Sequence, residues 1–304
     1  MEIVRAHPTF VVLGDSAAYG TGDEINPGNF RGWAGFISEA FQDGCDYYNY
    51  ARPGAKSSEV LAVQLPKALR QNPDICAVIV GGNDMLRNGF DPVLLYKNLR
   101  NCCEQLLAMG SEVIMVELHD PNQLLKLPRL MQRVLSRRVN AVNVVYRKVA
   151  AEFDIVTVKT RKIDGVHNRS NWHIDRMHPG PSGHFMLARN IAEQLRRRGW
   201  AISLPAKLSV TQKSRAEKIK WMLRNGTPWF FKRSVDLLPA ALILMAFEFC
   251  KVVLETINPE RKNTGLAFLY QIESDPAKIE YLKASYLLSF KACRQCDVNR
   301  LFNC

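Results

Sequence analysis

The first two hundred residues alternate short β-rich runs with longer amphipathic stretches, and this alternation most constrains the fold. Runs such as residues 77–80 are apolar without interruption, which is typical of strands buried on both faces. Buried strands that alternate with helices predict a parallel sheet covered by helices on both sides. The predicted strands are residues 9–13, 47–51, 75–81, 112–118 and 154–158. The predicted helices between them are residues 33–41, 57–70, 91–109 and 132–152.

A further helix closes this unit and is recognised by its ends. Ser182 is expected to cap its start, and Gly199 follows its end. Apolar residues recur along it at helical spacing, at Ala188, Ile191, Ala192 and Leu195. After about residue 205 the alternation stops, and the chain reads as helices over residues 213–223, 234–257 and 277–290. The sequence therefore predicts one domain over residues 1–204 and a mainly helical C-terminal extension over residues 205–304.

Composition places the chain among globular proteins. Hydrophobic residues make up 47% and charged residues 23%, which excludes a disordered or collagen-like chain. The net charge of +12 is compatible with nucleic acid or an anionic membrane surface as a partner. However, the sequence has no nucleic-acid recognition motif and no basic stripe interleaved with aromatic residues. We therefore expect no nucleic-acid partner.

The C-terminal extension has the densest positive charge, with 16 basic and 9 acidic residues from position 205 onward. Aromatic and basic residues at 227–233 precede an apolar run at 237–247. Two interpretations stand: a helical cap packed on the first domain, or a peripheral membrane contact through residues 227–250. The apolar run is shorter than the ~20 residues of a transmembrane helix, and the sequence does not open with a signal-peptide pattern. We therefore expect a cytoplasmic protein.

The eight cysteines are too sparse for a disulfide scaffold. Four of them lie in or beside apolar stretches and are expected to behave as small buried hydrophobes. These are Cys45, Cys76, Cys102 and Cys103. Cys293, Cys296 and Cys304 suggest a metal or redox site, but no histidine follows residue 184 to complete a zinc site. We therefore expect no metal, and the absence of phosphate-loop and dinucleotide motifs predicts no organic cofactor.

Gly14-Asp15-Ser16 directly follows the first predicted strand. This position places a hydroxyl at the carboxyl end of the sheet, where open α/β folds bind their ligands. Taken alone, the tripeptide is also typical of an ordinary turn or helix cap. Ser16 is therefore a candidate nucleophile only if a base and an orienting carboxylate accompany it.

Asp175 and His178 supply that pair on a loop before the last helix. A histidine base needs a carboxylate to fix its tautomer and stabilise its charged form, and a spacing of three residues allows this within one turn. The alternative is a loop-capping aspartate beside a solvated histidine. The other histidines are expected to have no catalytic role; they are His7, His119, His167, His173 and His184.

Gly54 and Asn83 complete the pattern as candidate donors to an oxyanion. Gly54 follows the second strand, and Asn83 follows the third in Gly81-Gly82-Asn83-Asp84. A residue without Cβ lets its backbone N–H approach a substrate closely, and a side-chain amide is a second donor. Each also fits a simple turn, so the joint occurrence after successive strands is what favours a site.

In these residues the chain resembles the SGNH, or GDSL-type, esterase/lipase superfamily over about residues 8–200. The matching positions are Gly14-Asp15-Ser16, Gly54, Gly82-Asn83-Asp84, Asp175, His178, Pro179, Gly183 and His184. The resemblance implies a three-layer, flavodoxin-like α/β/α sandwich with about five parallel strands. It further implies Ser16 as nucleophile, His178 as base and Asp175 as its orienting residue. The oxyanion hole would consist of the Ser16 and Gly54 N–H groups and the Asn83 side chain.

The leading hypothesis is therefore a serine hydrolase that cleaves a small-molecule or lipid ester through an acyl-enzyme. The alternative is a non-catalytic or regulatory binding protein on the same fold, tethered to a membrane or partner by its C-terminal region. The sequence has no G-x-S-x-G elbow, which disfavours the larger α/β-hydrolase fold. Acyl and alcohol specificity do not follow from the motifs, because the family acts on short-chain esters, lipids, thioesters and acetylated sugars.

Overall fold

The computed structural model describes residues 7–87 and 89–205 of the chain. Its strands are β1 Thr9–Gly14, β2 Glu24–Asn26, β3 Asn29–Phe30, β4 Asp46–Asn49, β5 Ile75–Ile79, β6 Glu112–Val116 and β7 Val156–Val158. Its helices are α1 Ser16–Tyr19, α2 Gly32–Ser38, α3 Ser57–Glu59, α4 Leu65–Arg70, α5 Gly82–Met85, α6 Pro92–Ala108, α7 Arg129–Glu152 and α8 Pro181–Arg197. One π-helical turn, Val60–Gln64, joins α3 to α4. The extension predicted over residues 205–304 lies outside the described residues, apart from Pro205.

Five strands form a parallel sheet in the order β4-β1-β5-β6-β7. Side chains of β1 alternate between two cores, with Phe10 and Val12 on one face and Val11 and Leu13 on the other. Helices α2 and α8 cover the first face, and the helical segment from α3 to α4 together with α6 and α7 covers the second. The predicted three-layer α/β/α sandwich with a parallel five-stranded sheet is confirmed.

The strands end earlier than the sequence pattern predicts. Strand β5 ends at Ile79 instead of residue 81, and β6 ends at Val116 instead of residue 118. Beyond these points the backbone forms hydrogen bonds with side chains from α7. Val80 is bonded to the Tyr146 side chain, and Leu118 is bonded to the Asn143 side chain. Val80 is still buried and Leu118 is partly buried, although both lie beyond the paired residues of their strands.

Ser182 does not cap α8, so this prediction is wrong. The helix begins at Pro181, with Gly180 as the capping residue and no side-chain hydrogen bond at the cap. Proline fits the first helical position because its fixed φ is already helical and it has no N–H to satisfy. The small antiparallel sheet of β2 and β3 was also not predicted, since its strands are too short to produce an alternating pattern.

Cys76, Cys102 and Cys103 are buried free thiols, as predicted, and Cys45 is half-buried. Burial raises the pKa of Cys45 to about 11 and that of Cys102 to about 12. These thiols are therefore poor nucleophiles. Within the ranges that the structure describes, no helix is long and apolar enough to cross a membrane.

Candidate active site

The turn from β1 to α1 places Ser16 at the carboxyl end of the sheet. Gly14 has φ +147°, and a Cβ there would collide with the carbonyl oxygen of Ile79, so only glycine fits. Asp15 then caps α1, because its Oδ1 accepts a hydrogen bond from Ala17 N at 3.0 Å. Ser16 is thereby the first residue of the short helix.

Ser16, His178 and Asp175 lie in a hydrogen-bonded line. Ser16 Oγ is 2.8 Å from His178 Nε2, and His178 Nδ1 is 2.8 Å from Asp175 Oδ2. An ionised Asp175 can only accept, so Nδ1–H donates to it and Nε2 is left to accept from the Ser16 hydroxyl. The structure thus brings together three side chains that the sequence predicted to act jointly, across 162 residues of chain.

Four nitrogen atoms surround the Asp175 carboxylate. Its Oδ1 accepts from Met177 N at 2.9 Å and from His178 N at 3.0 Å. Its Oδ2 contacts the Nδ1 atoms of both His178 and His173, the latter at 3.2 Å. Burial alone would raise the pKa of Asp175, but the bonds from His173 and His178 outweigh it and hold the pKa well below its usual range. Asp175 is therefore ionised at neutral pH.

His173 was expected to have no catalytic role, and the structure places its ring against the Asp175 carboxylate. It reaches the carboxylate from two residues upstream, while its backbone N–H donates to the His178 carbonyl at 2.9 Å. Sequence reasoning weighed the spacing between Asp175 and His178 and did not weigh that between His173 and Asp175. A histidine two residues before the aspartate, on the same loop, was the available signal.

Asn83 lies between the loop of the nucleophile and the loop of Gly54. Its Nδ2 donates to the Ala55 carbonyl at 3.2 Å and has a longer contact of 3.5 Å with Asp15 Oδ2. Gly54 has φ +88°, in the left-handed region that favours glycine. The structure therefore places Asn83 beside the residue that follows Gly54 and beside the residue that precedes Ser16.

Asp84 of α5 is bonded to the start of α3, which follows the Gly54 loop. Its carboxylate accepts from Ser57 Oγ at 2.6 Å and from Ser57 N, the first residue of α3. Asn98 of α6 in turn donates to Ser57 Oγ at 3.0 Å. Ser57 and Asn98 are both buried, so their polar groups depend on this network. Sequence reasoning singled out Asn83 but assigned no task to its neighbour.

Asp15 is a second carboxyl group in the site, and its side chain is buried. Burial raises its pKa to about 6, against the lowering effects of the Ala17 N–H and of His178. This group is therefore more easily protonated than an ordinary aspartate. Gly82 also approaches it closely, since a Cβ on Gly82 would lie 3.4 Å from Asp15 Oδ2.

His184 has a structural task, consistent with the expectation that it is not catalytic. Its Nδ1 accepts from Trp33 N at 3.2 Å, and its Nε2 lies 3.0 Å from the Thr21 carbonyl oxygen, to which it donates. Burial lowers its pKa to about 4, so the ring is neutral at neutral pH.

His119 packs on Trp172 with ring centroids 4.0 Å apart.

In the part of the chain that the structure describes, no group of three or more His, Cys, Asp or Glu side chains could hold a metal ion. That search does not include Cys293, Cys296 and Cys304, which lie outside the described residues. The expectation of no metal and no cofactor therefore stays a prediction.

A parallel α/β/α sandwich with serine, histidine and aspartate in line at its carboxyl edge has the architecture of a hydrolase. The chain belongs to the GDSL-like lipase/acylhydrolase family, whose model matches residues 12–185. The family resemblance found in the sequence is confirmed. The matched region includes every candidate site residue from Ser16 to His178.

The relatives agree with this assignment. The thioesterase 1/protease 1/lysophospholipase L1 of Escherichia coli K12 is 28% identical over 193 residues, which cover 62% of this chain and 84% of that protein. The structure of LAE5, an alpha/beta hydrolase from the Lake Arreo metagenome, matches with a TM-score of 0.51 and 18% identity, covering 65% of this chain and 98% of that one. The lipase/acylhydrolase of Enterococcus faecalis matches with a TM-score of 0.50 and 18% identity, covering 66% and 100%. At these identities the two structures support the fold alone.

Proposed function

We propose that this protein is a serine hydrolase that cleaves carboxylic esters through an acyl-enzyme intermediate. The observation that carries the proposal is the unbroken line from Ser16 Oγ through His178 to Asp175, with both contacts at 2.8 Å. A serine hydroxyl is a weak nucleophile unless a base removes its proton, and the line supplies both the base and the group that orients it.

In the first half-reaction, Ser16 Oγ attacks the ester carbonyl carbon while its proton passes to His178 Nε2. The ionised Asp175 stabilises the imidazolium that forms. The tetrahedral intermediate then collapses, its carbon–oxygen bond to the alcohol breaks, and His178 returns the proton to the departing oxygen. A water molecule, deprotonated by the same nitrogen, then attacks the acyl carbon. The bond from that carbon to Ser16 Oγ breaks, His178 returns the proton to Oγ, and the acid leaves.

The negative oxygen of the intermediate needs preorganised donors. We assign these to the N–H groups of Ser16 and Gly54 and to the Asn83 side chain. The Ser16 N–H lies in the first turn of α1, where amides have no partner within the helix. An amide nitrogen carries two N–H groups, so Asn83 can keep one on Ala55 while the other leaves its 3.5 Å contact with Asp15.

The proposal is tested with Ser16→Ala on p-nitrophenyl acetate and butyrate. Removal of a nucleophile is expected to lower kcat by about 10³-fold or more. Wild-type protein should also be labelled by a fluorophosphonate probe, and Ser16→Ala should not. A variant that keeps the wild-type rate would refute the mechanism. A wild-type protein that is neither active nor labelled would favour the non-catalytic binding protein instead.

The substrate class within the esters is the next question. The Escherichia coli relative is named as a thioesterase and a lysophospholipase, which motivates thioesters and lipid esters beside short-chain esters in a panel. Rates across acyl chain lengths would define acyl specificity, and acetylated sugars would test the alcohol side. The cytoplasmic location remains a prediction from the sequence.

A further inference from the structure

Three strand ends at the carboxyl edge of the sheet are bonded in the same way. At the last paired residue or just past it, one residue has both its N–H and its C=O bonded by a single buried side chain from a covering helix. The pairs are Gln64 with Gly14, Tyr146 with Val80, and Asn143 with Leu118. We call these three pairs the strand-end clamps.

The Gln64 clamp holds the residue two positions before the nucleophile. Gln64 Oε1 accepts from Gly14 N at 2.7 Å, and its Nε2 donates to Gly14 O at 3.0 Å. The positive φ of Gly14 turns this peptide out of the strand geometry, and its carbonyl also accepts from Arg52 N at 3.1 Å. The side-chain amide of Gln64 thus replaces a neighbouring strand where the chain turns into Asp15-Ser16.

The π-helical turn explains how Gln64 reaches this position. Gln64 is the last residue of Val60–Gln64, and Pro66 follows within α4. Proline lacks an N–H and its ring displaces the carbonyl four residues earlier, so the helix cannot keep regular α bonding at this point. Single π-helical turns of this kind are frequent at functional sites.

The Tyr146 clamp holds the residue three positions before Asn83. The Tyr146 hydroxyl accepts from Val80 N at 3.0 Å and donates to Val80 O at 2.6 Å, and the side chain is fully buried. Gly81-Gly82 then leads into α5, with φ +121° at Gly81. Two consecutive glycines leave this connection easily deformed, so the clamp fixes the point from which Asn83 is presented.

We propose that Gln64 and Tyr146 are positioning residues, which set the places of Ser16 and Asn83 through the two clamped peptides. This inference rests on the proposed function. The Asn143 clamp has the same form, with bonds of 2.8 and 2.9 Å, but it holds a strand end that carries none of the proposed catalytic groups. The chain therefore contains its own control.

The test compares Gln64→Met, Tyr146→Phe and Asn143→Leu, which each remove one clamp with little change of volume. For each variant we measure kcat/KM on p-nitrophenyl butyrate, the second-order rate of Ser16 labelling by a fluorophosphonate, and Tm. We expect Gln64→Met and Tyr146→Phe to lower both rates by about 10- to 100-fold, since displacements near 1 Å have effects of this size. We expect all three variants to lower Tm by similar amounts. Asn143→Leu should nevertheless keep both rates within about threefold of the wild type.

The inference is wrong if all three variants lose activity in proportion to Tm, or if the first two keep wild-type rates. Tyr146→Phe removes only one oxygen atom, so the inference can still be tested with this variant if Gln64→Met does not fold. An inactive, unlabelled wild-type protein would remove the proposed function and this inference together. An active wild type with unaffected clamp variants would remove only the inference.

Discussion

At the scale of single residues, Asp15 links the pH dependence of stability to the nucleophile loop. Its pKa is about 6 in the folded protein and near 3.8 in an unfolded chain, because burial penalises the charged form. The folded state therefore binds this proton more tightly. The stability contribution is complete below about pH 4 and is lost as the pH rises through about 6.

Asp15→Asn should remove this dependence while keeping an oxygen to cap Ala17 N. Relative to the wild type, the variant is expected to gain up to about 3 kcal/mol between pH 4 and pH 8, measured by urea unfolding at both values. Asp154→Asn is a control: Arg198 lowers the pKa of Asp154, so that contribution is already present near pH 4 and the variant should change little between pH 4 and pH 8. If Asp15→Asn changed the free energy of unfolding equally at both pH values, the pH dependence would not come from Asp15.

The second residue-scale prediction concerns His173. His173→Phe removes the ring nitrogen that contacts the half-buried Asp175 carboxylate, so the pKa of Asp175 should rise and stability at pH 7 should fall by about 1–2 kcal/mol. Because the folded pKa of Asp175 is depressed, this loss should shrink as the pH falls below 4. His173→Asn keeps a side-chain N–H near the Nδ1 position and should retain most of the stability. Urea unfolding from pH 3 to pH 7 measures the stability of both variants. Equal losses of stability for His173→Phe and His173→Asn would contradict this role of His173.

At the scale of elements, the turn from β1 to α1 depends on one glycine. Gly14→Ala would place a Cβ against the Ile79 carbonyl at a φ that side chains rarely adopt. We expect a loss of about 3 kcal/mol or more in the free energy of unfolding, together with loss of esterase activity. Gly28 also has a positive φ, but a Cβ there would meet no atom within 4 Å, so Gly28→Ala should cost only about 1 kcal/mol. Similar losses at the two sites would show that the collision is relieved by a backbone shift.

The middles of the elements could be predicted from the sequence, whereas several of their ends could not. Buried runs such as residues 75–79 define a strand by composition alone. The end of β5 is decided by Tyr146, 66 residues away along the chain, and no local pattern contains that information. The π-helical turn was within reach of sequence reasoning, because Pro66 lies inside the predicted helix over residues 57–70.

At the scale of the whole molecule, the predicted site residues meet because the strands are parallel. Ser16 and Asn83 each follow a strand, and all carboxyl ends of a parallel sheet share one edge. This topological argument, together with the motif resemblance, predicts Ser16, Asn83, Asp175 and His178 as site residues. It could not find Gln64 or Tyr146, because their hydrogen bonds to Gly14 and Val80 depend on the complete fold.

The same topology fixes the order in which the site is completed during synthesis. The nucleophile strand and its neighbours are translated first, while His178 follows Ser16 by 162 residues. At ribosomal speeds of ~5–20 residues per second, this separation corresponds to about 10 to 30 s. A nascent chain therefore carries an unactivated serine until the loop before α8 docks. Premature termination anywhere before that loop yields a fragment without a base.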